Sequence, residues 1–189
     1  MENNREALLQ TALNLFSKKG YSSVGVQEIA DKVGVGKPTL YHYFKNKEGL
    51  LRALFDSYLL VDFPQLEKAT ERKDDIPYTL QAVAQEFCSL AMKKTEFYCL
   101  LIHLFYSGRK DEAYLATKPY LDRLENMILQ IFESAAWQLG NMNGRQNQFA
   151  HSFLGMVFEY TFSNLQEGKS LQEKDIDQLV HQFMHGIYS

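Results

Sequence analysis

The chain has little of what would build a secreted, membrane or disordered protein. Cys88 and Cys99 are its only cysteines in 189 residues, each in an apolar stretch. Two thiols are too few for a disulfide framework, and the expectation is a pair of core cysteines in a reducing cytoplasm. Four prolines and eleven glycines are too few for a long disordered linker. No apolar run approaches the roughly 20 residues of a membrane helix, so no membrane partner is expected. The opening "MENNREALLQ" is polar and then amphipathic, unlike a secretory leader. Strand-like alternation is nearly absent. There is no Gly-x-Ser-x-Gly, no metalloprotease motif and no plausible catalytic triad, so neither enzyme activity nor a cofactor is expected.

What is present is 46% hydrophobic residues, enough for a real core, and an uneven charge. The net charge of −3 looks wrong for a nucleic-acid binder. Residues 1–52, however, hold eight Lys/Arg against five Asp/Glu, a local +3, while the remaining twelve and eighteen give −6. A basic end on an acidic body suggests a local contact with a polyanion.

The chain reads as consecutive amphipathic helices. Leu8, Leu9, Ala12, Leu13 and Phe16 recur at helical spacing, and Gly20 should end that helix. A short helix is expected from Val26 to Val33, another from Lys37 to Phe44, and a fourth from a cap at Asn46 to about Val61. "DFPQLEKATERKDDIP", residues 62–77, has two prolines and many charges and is expected to be a joint. Helices are then expected near 77–93, 95–107, 111–140, 145–167 and 172–188. Pro119 should kink the third of these or split off its first turn. "GNMNG", residues 140–144, reads as a loop, and Ser170 to Glu173 reads as a capping box.

"VGVGKPTLYHYF", Val33 to Phe44, carries the functional question. A phosphate-binding loop would need glycine at Asp31 and Ser or Thr at Pro38, with a strand before it. A helix-turn-helix fits better. Gly34 supplies a left-handed turn, Val35 fills the angle between helices, Gly36 caps the next helix and Pro38 lies in its first turn. Leu40 and Phe44, at i and i+4, should face inward against Ile29. Lys37, Thr39, Tyr41, His42 and Tyr43 are left on the other side, which such a motif lays in the major groove.

The stretch "GYSSVGVQEIADKVGVGKPTLYHYFKNKEGLLRALF", Gly20 to Phe55, resembles the DNA-binding domain of the TetR family of transcriptional regulators. The resemblance rests on Gly20–Tyr21, Ile29–Ala30, Gly34–Val35 and "TLYHYFKNKEGLL", about the first quarter of the chain. It implies an all-α protein. An N-terminal three-helix DNA-binding domain, residues 1–46 with the motif at about 26–44, would join a larger helical effector-binding and dimerisation domain, residues 47–189. Helix 47–61 would connect them. It also implies that Tyr41 and Lys47 contact phosphate. Gly36, Lys37, Pro38 and Thr39 would lie at the base-proximal tip, Gln27 would reach the groove, and His42 and Tyr43 would touch backbone or base. Val24 and Gly25 depart from the family pattern, which has hydroxyl residues there, and Gly36 stands where Ser is common.

For the body, the resemblance implies an effector pocket in the middle helices and a dimer interface from the last two. Aromatic and methionine residues are plentiful there: Phe87, Met92, Phe97, Tyr98, Phe105, Tyr120, Met127, Trp137 and Tyr160. Such a stripe builds either core or a pocket for a lipophilic or aromatic small-molecule effector. Phe149, Phe153 and Met156, with Ile176, Leu179, Val180, Phe183 and Ile187, form apolar stripes suited to a four-helix bundle in a homodimer or to intramolecular core. His181 and His185 have a metal-compatible i, i+4 spacing, but the expectation is surface or interface histidines and no metal. The function implied is a cytoplasmic repressor of a near-palindromic double-stranded DNA operator, released by its effector. The alternative is a helical binding or enzymatic domain whose N-terminal motif is not used on DNA.

Overall fold

A computed structural model describes residues 2–71, 75–135 and 143–186. Among them the structure is helical, in nine helices. In order these are α1 (Glu2–Lys19), α2 (Val26–Val33), α3 (Lys37–Phe44), α4 (Lys47–Ala69), α5 (Ile76–Lys93), α6 (Thr95–Phe105), α7 (Glu112–Ala135), α8 (Gln146–Gln166) and α9 (Glu173–His185). The chain forms two compact units. One comprises residues 1–61 and 96–121, the other residues 62–95 and 122–189.

In the first unit α1 packs on α2 and α3. Leu8, Leu9, Ala12, Leu13 and Phe16 of α1 are buried with Ile29, Leu40 and Phe44, at the periodic positions the sequence marks. Gly20 stops α1 in the left-handed conformation, φ 78°, and its N–H donates to the Phe16 carbonyl at 3.0 Å. Tyr58 stacks on Phe97, ring centroids 5.0 Å apart at 15°, and Phe55 meets Phe97 edge-on. In the second unit α5 packs on α8 and α9. Phe87 stacks on Phe158 with centroids 5.0 Å apart, and Phe132, Phe153 and Phe183 form an edge-to-face cluster.

Two expectations are corrected and one is narrowed. The joint at residues 62–77 is much shorter, because α4 continues through Pro64 to Ala69. Likewise α7 runs as one helix through Pro119, so its first turn is not split off and of the two expected effects only a kink is left. A helix proline deprives the carbonyl four residues back of its N–H. Here Pro64 and Leu60, and Pro119 and Leu115, are all exposed, so water can satisfy those carbonyls. The capping box at Ser170 is absent: α9 starts after Gln172, without a side-chain cap, and Gln172 donates to the Ser170 hydroxyl instead. The remaining helices begin and end within a few residues of expectation where described. The 136–140 end of the third body helix lies outside the described residues, as does most of the loop at 140–144.

Candidate nucleic-acid interface

The turn between α2 and α3 is built from backbone chemistry. Gly34 lies at φ 78°, ψ 29°, a conformation that costs any Cβ-bearing residue. Its N–H donates to the Asp31 carbonyl at 3.1 Å, and the Val35 N–H to the Ala30 carbonyl at 3.0 Å. These bonds satisfy carbonyls that the end of α2 would leave open. Gly36 caps α3 with extended backbone and no side-chain bond, and Pro38 sits in the first turn. Gly25 caps α2 the same way. Val24 is buried, so its side chain belongs to the core and offers no hydroxyl to a phosphate.

With Leu40 and Phe44 buried, α3 turns the rest of its surface outward. Gly36, Lys37, Pro38, Tyr41 and His42 are exposed, Tyr41 by 43%; Thr39 and Tyr43 are half-buried. Tyr43 meets His42 edge-on, centroids 5.4 Å apart, which stiffens that end of the surface. Gln27 on α2 is exposed, but its amide donates to Asp31 Oδ1 at 2.5 Å, one turn along its own helix. Lys47 is half-buried, its ammonium 4.0 Å from the centroid of the Tyr21 ring. Burial pushes its pKa down, and the charge of Glu112 works against that.

The join from α3 to α4 holds two features that periodicity does not flag. Lys45 has φ 64°, ψ −46°, and the Asn46 N–H donates across it to the Phe44 carbonyl at 2.7 Å. This is a γ-turn of the rare φ-positive kind, centred on a lysine. Asn46 then caps α4, accepting from the Gly49 N–H at 2.6 Å. A Cβ on Gly49 would lie 2.0 Å from the Phe44 carbonyl oxygen, so this close approach requires glycine. The sequence signals are the cap expected at Asn46 and a lone glycine inside a helix's first turn. Arg5 adds a further cation to this unit, its guanidinium 5.6 Å from the Phe44 ring centroid.

The expected effector residues fall in both units. Phe97, Tyr98 and Phe105 are buried in the first, where Tyr120 donates its hydroxyl to Asp56 at 2.6 Å. Phe87 and Met127 are buried in the second, Tyr160 is half-buried, and Met92 is 42% exposed. An open groove of about 610 Å³ runs between α4, α5 and α9, lined by Lys68, Tyr78, Glu86, Met92 and Ile176 among others. Of the expected residues only Met92 lines it; Trp137 lies outside the described residues. Of the expected dimer residues, Phe153, Ile176 and Val180 are buried within their own protomer. Phe149, Met156, Leu179 and Phe183 keep part of their surface open, and Ile187 lies outside the described residues. His181 and His185 are exposed with ring centroids 4.3 Å apart. Cys88 is buried, its thiol 3.4 Å from the Thr161 hydroxyl, whereas Cys99 is half-buried rather than a core thiol. Among the described residues no helix is long and apolar enough to cross a membrane.

Two short helices joined by a tight glycine turn, the second anchored by Leu40 and Phe44 and presenting lysine, tyrosine and histidine outward, define a helix-turn-helix DNA-binding protein. Residues 8–54 match the profile of the bacterial regulatory proteins of the tetR family. The transcriptional regulator YvkB of Bacillus subtilis is 38% identical over 191 residues, covering 99% of this chain and 98% of that protein. YerO of the same organism is 32% identical over 71 residues, 38% of this chain, and the match spans only 25% of YerO's own length. The fold is also that of the regulator FadR from Bacillus subtilis, solved in complex with stearoyl-CoA. Its TM-score is 0.77 at 18% identity, covering 97% of this chain and 99% of that one. The chain belongs to the TetR family of transcriptional regulators. It is accordingly a DNA-binding transcriptional regulator and not an enzyme.

Proposed function

We propose that this chain is a cytoplasmic repressor that binds a near-palindromic operator as a homodimer and leaves it when a lipophilic or aromatic effector binds. The observation that carries this reading is the division of α3. Leu40 and Phe44 anchor the helix, while Lys37, Pro38, Tyr41 and His42 stand clear of the protein. In this reading residues 1–46 are the DNA-binding head and residues 47–189 the sensing and dimerising body. Tyr41 and Lys47 hold phosphate, Lys37 donates to guanine, and the carbons of Pro38 and Thr39 meet a thymine methyl. Gln27 reaches a base only by leaving Asp31. Two copies related by a two-fold axis would read two half-sites about one helical turn apart.

The half-open residues Phe149, Met156, Leu179 and Phe183 on α8 and α9 are the proposed dimer surface. A lipophilic effector is supported by the acyl ligand of the FadR neighbour. Release follows only if the effector binds the DNA-free state more tightly than the bound one.

The test is a mobility-shift titration with the DNA upstream of the chain's own gene, repeated at several salt concentrations. Specific binding that weakens steeply with salt is expected. Absence of binding at low salt overturns the reading. A thermal-shift panel of acyl compounds, lipophilic cations and neutral aromatics tests the effector half. No shift with any of the three removes it.

A further inference from the structure

Lys47 does not stand alone beside DNA. Its ammonium lies 4.0 Å from the Tyr21 ring centroid and 6.0 Å from that of Phe16, and these two rings pack 5.1 Å apart. Tyr21 is almost wholly buried, and its hydroxyl donates to Glu112 Oε1 at 3.1 Å. Glu112 is the first residue of α7, 91 residues away in sequence, and is exposed. The Tyr21 phenol is held far above its usual pKa, by burial first, then by the Glu112 charge and hydrogen bond, with Glu48 adding to it. It therefore stays protonated and keeps donating. One anion thus fixes the ring on which the cation rests, and also attracts that cation directly.

We propose that Glu112 is a positioning residue for DNA binding: with the Tyr21 ring it holds the Lys47 ammonium on the protein, in competition with the DNA phosphate. This rests on the reading of Lys47 as a phosphate contact. A lysine attracted both by a nearby carboxylate and by a phosphate gives up part of one attraction to gain the other. The first turn of α7 therefore sets how freely Lys47 reaches DNA, although Glu112 itself touches no base or phosphate.

The test is a double-mutant cycle in the full-length chain, read as affinity for the upstream DNA by fluorescence anisotropy. The four proteins are wild type, Glu112→Gln, Lys47→Ala and the double variant. Glu112 is exposed, so the glutamine variant should fold as the parent does, which its melting temperature checks. Glu112→Gln is expected to bind about threefold tighter at low salt, the size of a screened surface pair. That gain is expected to vanish once Lys47 is alanine. A gain of equal size in both backgrounds would mean that Glu112 acts through overall charge, and would overturn the inference. So would no change or weaker binding by Glu112→Gln in the presence of Lys47. If Lys47→Ala alone leaves affinity and salt slope unchanged, the phosphate reading of Lys47 fails first, and the inference with it.

Discussion

The Lys94 ammonium lies 2.5 Å from Asp62 Oδ1, and the two differ sharply in exposure, 26% for the lysine and 1% for the aspartate. The carboxylate is committed to the interior and the lysine reaches in to it. Lys94→Met should therefore cost about 3 kcal/mol, because it takes a close cation away from a buried carboxylate. Lys19 and Glu28 form a pair of similar length, 2.6 Å, but are 52% and 33% exposed. Lys19→Met should cost less than about 1 kcal/mol. Denaturant midpoints of the two variants check the contrast, and equal losses would contradict it.

Substitutions on the two sides of α3 should separate folding from binding. Leu40→Ala empties a fully buried site and is expected to cost about 2–5 kcal/mol of stability. Tyr41→Ala should leave the melting temperature nearly unchanged and weaken DNA binding across all sequences. Lys37→Ala should instead relax preference at particular bases. Binding-site selection on randomised DNA measures this; an unchanged preference would remove Lys37 from the reading surface.

Two glycines should respond differently to alanine. At Gly34 a Cβ meets nothing within 4 Å, so only the left-handed backbone is strained, a loss of about 1–2 kcal/mol. At Gly49 the Cβ would strike the Phe44 carbonyl, and backbone cannot turn aside as a side chain can. Gly49→Ala should be the more damaging of the two in thermal denaturation, and should weaken DNA binding further by displacing α3 against α4.

Burial raises the Cys88 thiol from 9.0 to about 11, with a smaller opposing pull from the Thr161 hydroxyl. A thiol whose folded pKa is raised keeps its full contribution below pH 9. It loses that contribution as pH rises from 9 through about 11. Wild type should lose on the order of 2 kcal/mol over that window relative to Cys88→Ala. Parallel stability curves for the two proteins would show that the thiol is not the group responsible. At neutral pH, alkylation should favour half-buried Cys99 over buried Cys88.

The head was legible because its punctuation is local. Gly20, Gly34 and Gly36 occupy backbone conformations that few residues but glycine adopt readily, or caps that glycine fills acceptably. The apolar spacing between them has one helical solution. The prolines misled because their cost depends on exposure. Pro64 and Pro119 lie on wet helix faces, and no local pattern says which face will be wet. Tyr21 and Glu112 illustrate the other limit. Each is an ordinary residue in its own segment, and only folding brings them to 3.1 Å. Aromatic richness in the body left core and pocket open: Phe97 and Tyr98 are fully buried, but composition does not distinguish a filled interior from a lined cavity.

The γ-turn at Lys45 bears on how this protein could change its operator. Two residues, one of them in a rarely occupied backbone state, separate α3 from α4. A loop so short and strained has no slack in which to re-aim α3 by insertion or deletion. New specificity is therefore open mainly through substitution of the side chains that α3 already exposes, one base preference at a time, with the docking angle inherited unchanged.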